Sequence, residues 1–439
     1  MPLADAGDAA RAAIEAAHRA ADAIAQAQAA RRARALERLA ARLDDTHQAL
    51  LEANAADVAQ ARAEALAPAL LGRLQVDRAR LQAMAARCRA VAALPDPLSQ
   101  GGPTRVLASG VRLEARRVPL GLIGVVYEAR PDVTTEVASI ALRAGNAVVL
   151  RGGREAARTQ AVLGTLLADA LADADLPPAG ASVLTDDEGR AAFAAMMASD
   201  RFDLVVPRGG AALIERVRRE SRCPVIETGV GNCHVYVDAL ADATMAVAVA
   251  VDAKVDNPAV CNAAETILVD RACDPALVGR LGRALVARGV RIRACAESMR
   301  ALQAAGVRAE AASEADYESE FLDWIVAMRV VDGVEGAIAH VRAYGTRHSE
   351  TIVTDSRTAA ERFVAAVDAA AVYVNASTRL TDGFEWGLGA EVGISTQKLH
   401  VRGPVGLEAL TTLKYVGWGS GQIRGVAVRE EGAGGGPSF

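Results

Sequence analysis

Between residues 122 and 374, short apolar runs alternate with stretches of helical period, and no other feature constrains the fold as much. The runs are Leu122 to Val126, Ala147 to Leu150, Ala181 to Leu184, Leu204 to Val206, Val225-Ile226, Thr266 to Val269, Ile325 to Val331, Thr351 to Val353 and Val372 to Val374. A strand without polar alternation is covered on both faces, and the crossover helices between parallel strands supply that cover. The pattern predicts α/β architecture with two doubly wound parallel sheets. The first region runs to residue 231 and the second starts at 232, with Gly229-Val230-Gly231 read as a hinge.

Residues 9 to 93 differ. They are alanine-rich, with Leu36, Leu39, Leu43, Leu50 and Leu51 at helical spacing, which predicts amphipathic helices rather than a coiled coil, because no heptad is sustained. Pro95-Asp96-Pro97 and Gly101-Gly102-Pro103 end that region. Across 439 residues the net charge is −5, and no basic stripe with interleaved aromatics occurs, so a nucleic-acid partner is not expected. The six cysteines and six histidines are scattered without metal-ligand spacing, so no metal is expected either. The acidic N-terminus is unlike a secretory signal, and no apolar stretch of about 18 residues is present. A reducing, cytoplasmic setting without membrane contact fits these facts.

Two strand ends share a motif. Val148-Val149-Leu150-Arg151-Gly152-Gly153 and Leu204-Val205-Val206-Pro207-Arg208-Gly209-Gly210 each precede a helix. Strand, glycine turn and helix N-terminus can bind an anion, and each turn adjoins an arginine. An ordinary βα turn has the same sequence. A G-x-G-x-x-G fingerprint is absent, so a standard dinucleotide turn is not expected.

Cys261 lies in Val255-Asp256-Asn257-Pro258-Ala259-Val260-Cys261-Asn262-Ala263-Ala264-Glu265-Thr266, after a helix read over Asp242 to Asp256 and before a strand. A thiol on such a connection is a nucleophile or a small buried hydrophobe. The segment resembles the catalytic stretch of the γ-glutamyl phosphate reductases, a branch of the aldehyde dehydrogenase superfamily. Residues 118–131, 144–146, 207–210, 231–238 and 387–404 resemble that family in the same order, and the likeness extends over about residues 10 to 425.

The resemblance implies an aldehyde dehydrogenase-like fold. Residues 1–104 and 121–231 form a cofactor-binding domain, 232–405 a catalytic domain, and 105–120 with 406–426 an oligomerisation arm. The composition of residues 427–439 predicts a disordered tail. It implies an NADP-dependent glutamate-5-semialdehyde dehydrogenase, in which NADPH reduces L-glutamyl 5-phosphate through a cysteine thioester, the second step of proline biosynthesis from glutamate. Cys261, Asn262 and Glu227 are the implied catalytic residues, with Glu227 as a thiol base. Arg151, Gly152, Arg208, Gly209, Gly210 and Glu320 are implied for the cofactor, and Arg130, Asn375 and Arg379 for the substrate. Ala129 stands where hydrolytic relatives keep an oxyanion asparagine. A homo-oligomer, dimer or tetramer, is implied, and a transient complex with a glutamate 5-kinase is compatible with it. A CoA-acylating aldehyde dehydrogenase and a non-catalytic scaffold of the same fold are the alternatives.

Overall fold

The computed structural model describes residues 3–45, 47–185 and 190–424. The chain divides into two compact units, one of residues 1–204 with 407–439 and one of residues 205–406. The division falls after Leu204, and the expected hinge at Gly229-Val230-Gly231 lies inside the second unit. The expected tail lies outside the described residues.

In the first unit, helices Leu3–Gln26, Ala29–Asp45, His47–Ala63, Pro68–Leu74 and Arg78–Ala93 form the predicted helical layer. Leu36, Leu39 and Leu43 make the buried stripe of the second helix. The fully buried Arg32 donates to the Ala27 carbonyl (2.5 Å) and to Asp96 Oδ1 (2.8 Å), so the Pro95-Asp96-Pro97 break closes back onto that layer. Strands β1 (Gly101–Val106) and β2 (Arg112–Pro119) lead into β3 (Leu122–Tyr127), β4 (Ala147–Arg151) and β5 (Ala181–Val183). β3, β4 and β5 pair in parallel, and β3 is buried throughout.

β6 (Leu204–Arg208) begins at the division. The second unit then carries β7 (Cys233–Val237), β8 (Ala264–Asp270), β9 (Arg291–Ala294), β10 (Glu310–Ala311), β11 (Ile325–Val331), β12 (Ser349–Val353), β13 (Ala371–Val374), β14 (Ile394–Ser395) and β15 (Gly403–Pro404). Seven of these form one all-parallel sheet in the order β10-β9-β11-β8-β7-β12-β13. Its two faces bury alternate side chains. Val235, Val237, Ile267 and Val269 pack with helices Ala243–Val255, Pro275–Val286 and Ala296–Ala304. Tyr236, Leu268 and Ile352 pack with helices Gly333–Tyr344 and Arg357–Ala366. That is the doubly wound arrangement the apolar runs predict. Val225-Ile226 departs from it: Val225 makes a single bridge to Val205 and starts no strand.

The last strand, β16 (Thr411–Trp418), returns to the first unit and pairs antiparallel with β2, making a three-stranded sheet β1-β2-β16; β2 and β16 lie in the two stretches read as an arm, and β1 starts ahead of the first, at Gly101. Asn146 ties this sheet to the parallel one. Its Oδ1 accepts from Gly121 N–H and its Nδ2 donates to the Leu410 carbonyl, both at 2.9 Å.

Candidate active site

The connection that carries Cys261 is anchored at both ends. Asp242 caps the preceding helix by accepting from the N–H groups of Thr244 (3.0 Å) and Met245 (2.7 Å). The helix stops at Val255, and β8 starts at Ala264. Cys261 itself is half-buried. Its carbonyl accepts from the Cys233 thiol at 3.2 Å, and Gly231 presses on the same carbonyl. A Cβ added at Gly231 would lie 1.5 Å from that oxygen, so only glycine fits. Burial holds the Cys233 thiol well above its ordinary range, and so keeps it a donor.

Gly231, Cys261 and Glu320 all lie just before parallel strands of one sheet, β7, β8 and β11 respectively, and so gather at its N-terminal edge. Glu320 accepts the Gly231 N–H at 2.7 Å. Burial pushes the Cys261 thiol up to about 11. The Arg208 guanidinium pulls it down, and the Glu320 and Glu391 carboxylates push it further up. In the free protein Cys261 is therefore held as a thiol, beside a cation that favours its ionised form.

Asn262 and Arg379 join the same loop. Asn262 is buried, and its Nδ2 donates to the carbonyls of Thr381 (2.9 Å) and Arg379 (3.3 Å). Arg379 returns a hydrogen bond to Asn262 Oδ1 and pairs with Asp256 Oδ2 at 3.0 Å. Its guanidinium is thus engaged with both ends of the Cys261 loop. Asn375 sits in a left-handed conformation (φ 58°) beyond β13, and its amide braces the backbone of Thr354 through two bonds of 2.8 and 2.9 Å. Glu227 is half-buried and held by Gln397, which donates to its carboxylate (3.1 Å) and accepts its N–H (2.9 Å).

Arg208 ends β6, and Gly209-Gly210 lead into helix Ala211–Glu220 with Gly210 at its cap. Arg208 Nε is buried with no hydrogen-bond partner. A Cβ at Gly393 would lie 2.6 Å from the Arg208 guanidinium, so that glycine keeps room for it. The remaining implied residues belong to the first unit. Arg151 is half-buried at the C-terminal end of β4, Gly152 is buried in the following turn, and Arg130 precedes helix Pro131–Arg143.

Three residues around Cys261 have no role assigned from sequence, Cys233, Glu265 and Glu391, and Gly231 is read there only as part of a hinge. All lie in stretches quoted for the resemblance, yet nothing local marks them, since their partners are remote in sequence. Among the described residues no helix is long and apolar enough to cross a membrane.

Residues 1–292 match the model of the aldehyde dehydrogenase family. A γ-glutamyl phosphate reductase of Symbiobacterium thermophilum is 49% identical over 399 residues, covering 89% of this chain and 94% of that protein. A γ-glutamyl phosphate reductase of Escherichia coli is 46% identical, covering 91% and 96%. The crystal structure of γ-glutamyl phosphate reductase from Thermotoga maritima superposes with a TM-score of 0.89 at 38% identity, covering 94% and 99%. The chain therefore belongs to the γ-glutamyl phosphate reductase branch of the aldehyde dehydrogenase family and is an oxidoreductase acting on an aldehyde group.

Proposed function

We propose that the chain reduces L-glutamyl 5-phosphate to L-glutamate 5-semialdehyde and inorganic phosphate, with Cys261 as nucleophile, as a step of proline biosynthesis from glutamate. The observation that carries this reading is the pairing of a half-buried thiol on a pinned loop with a nearby arginine whose Nε has no partner.

The Cys261 sulfur attacks the acyl carbon as the C–O bond to phosphate breaks, which leaves an acyl thioester on the protein and releases phosphate. Arg208 favours the thiolate that attacks and suits the dianion that leaves. Because the free thiol sits near 11, its proton must pass to a base as substrate binds; Glu227, oriented by Gln397, is our candidate. The Cys261 carbonyl is fixed inward by Cys233 and Gly231. The N–H of Asn262, which shares that trans peptide unit, therefore points the opposite way, where it can stabilise an oxyanion.

NADPH, when bound, supplies the hydride that reduces the acyl group. The residues of the first unit fit such a group in part. Arg151 lies at the C-terminal end of a parallel strand, the edge where nucleotides bind, and its guanidinium suits a 2′-phosphate. Gly152 is a close-packing glycine, since a Cβ there would lie 2.0 Å from Gln160 Nε2. Glu320 is proposed for the nicotinamide ribose, which would compete with its bond to Gly231. We also propose that β1, β2 and β16 form a subunit-pairing arm, since Leu413, Tyr415 and Trp418 lie exposed on β16.

Run in reverse, oxidation of the semialdehyde by NADP⁺ must end with attack on the thioester. A rate that saturates with phosphate, with arsenate able to replace it, is the expected result. An unchanged rate without phosphate, with glutamate accumulating, would overturn the reading in favour of a hydrolytic dehydrogenase. Dependence on CoA in place of phosphate would favour the acylating alternative.

A further inference from the structure

We propose that Lys254 and Glu265 are positioning residues: a buried ion pair that closes the base of the nucleophile loop and couples it to Glu320. The proposal rests on the reading of Cys261 as nucleophile.

Lys254 lies in the last turn of the helix before the loop, and Glu265 is the second residue of the strand after it. Lys254 Nζ and Glu265 Oε2 are 2.6 Å apart, and both side chains are wholly inaccessible to solvent. Glu265 Oε1 accepts the N–H of Leu322 at 3.2 Å. Leu322 holds a left-handed conformation (φ 50°), which a leucine adopts only when its surroundings impose it. Two residues earlier, Glu320 accepts the Gly231 N–H at 2.7 Å, and Gly231 lies against the Cys261 carbonyl. A closed circuit results. It runs from Lys254 through Glu265 to Leu322, from Glu320 to Gly231, and back to Cys261.

Stability is a poor reason for such a pair. Burial raises the Glu265 carboxyl and lowers the Lys254 ammonium, so it opposes both charges. Apolar side chains of similar volume commonly serve a core as well or better. Such side chains cannot hold two chain ends at one separation while also accepting a backbone N–H from a third segment. One carboxylate does both here, and the three segments it joins are those that set the nucleophile.

The test separates grip from stability. In Lys254→Met/Glu265→Gln the charges go, while Gln can still accept from Leu322. Thermal melting, iodoacetamide alkylation of Cys261 followed on its own peptide, and kcat with KM for phosphate-dependent semialdehyde oxidation are measured on the full chain. The double variant should melt within about 5 °C of wild type. Its Cys261 alkylation and its kcat should each fall tenfold or more, as expected when the nucleophile loop loses its setting. A folded double variant with alkylation and kcat within twofold of wild type overturns the proposal. Glu265→Asp keeps both charges but shortens the reach, and serves if the double variant does not fold. The proposal predicts the same tenfold losses for it, and wild-type alkylation would refute it. Alkylation needs no substrate, so it judges the pair even if Cys261→Ala proves active and the functional reading fails.

Discussion

Two turns of this chain read alike and are built differently. Arg151-Gly152-Gly153 ends β4 in the first unit, and Arg208-Gly209-Gly210 ends β6 in the second. The first is filled by the protein itself. Gln160 donates to the Gly153 carbonyl, and a Cβ on either glycine would strike Gln160, Tyr127 or Glu155. The second has exposed glycines, passes straight into a helix, and sets its arginine beside Cys261. A motif is therefore only an offer of backbone geometry. Whether it packs a core or faces a site depends on side chains elsewhere, and here the open turn accompanies Cys261.

The largest effect should come from the second turn. Arg208→Ala should lower the phosphate-dependent rate by about two decades or more, close to 3 kcal/mol at the reacting centre, while leaving NADPH affinity within about threefold. The same variant should raise the thiol further. Alkylation of Cys261 in the wild type should climb with pH toward a midpoint near 11, and losing the cation that favours thiolate should move that midpoint higher. A large loss of NADPH affinity with normal phosphate dependence would make Arg208 a cofactor residue instead.

In the first turn, Arg151→Ala should weaken NADPH binding by about 1.5–3 kcal/mol, roughly 10- to 150-fold, with little change for NADH. Titration with both cofactors checks this, and equal losses would assign Arg151 to shared packing.

The smallest difference lies in the glycines. Gly152→Ala should destabilise the fold by about 1–3 kcal/mol, because its Cβ has no room. Gly210→Ala should cost about 0.5–1 kcal/mol, the price of alanine at a helix cap. Chemical denaturation of the two variants measures both, and equal costs would erase the contrast between a filled and an open turn.

Most of the architecture was legible in the sequence because the central strands are buried on both faces. The apolar run Ile325 to Val331 is one strand from end to end, and Asp242 and Asp256, the bounds the sequence predicts for a helix, are its two caps. Val225-Ile226 misled, since β-branched residues promise a strand and only one bridge formed. The glycines at 229 and 231 look like a hinge in the sequence because the two α/β regions meet there. Their actual reason is crowding, from Thr396 at Gly229 and from the Cys261 carbonyl at Gly231, and both neighbours are distant in sequence. Lys254 and Glu265 were passed over for a similar reason. A lysine in a last helical turn reads as a solvated cation, and a lone glutamate in an apolar strand has no visible partner until the fold supplies one. Of the candidate site, Cys261 could be singled out from its connecting position and the surrounding match. What holds it could not.

The central claim is that Cys261 carries the acyl group, and the direct measurement is kcat for phosphate-dependent semialdehyde oxidation in Cys261→Ala, with folding and NADPH binding checked on the same preparation. With the thioester route closed, the rate should fall by about three decades or more while fold and cofactor affinity stay as in wild type. Retention of more than about a tenth of the wild-type rate, a change of about 1.4 kcal/mol in the barrier, would contradict the account.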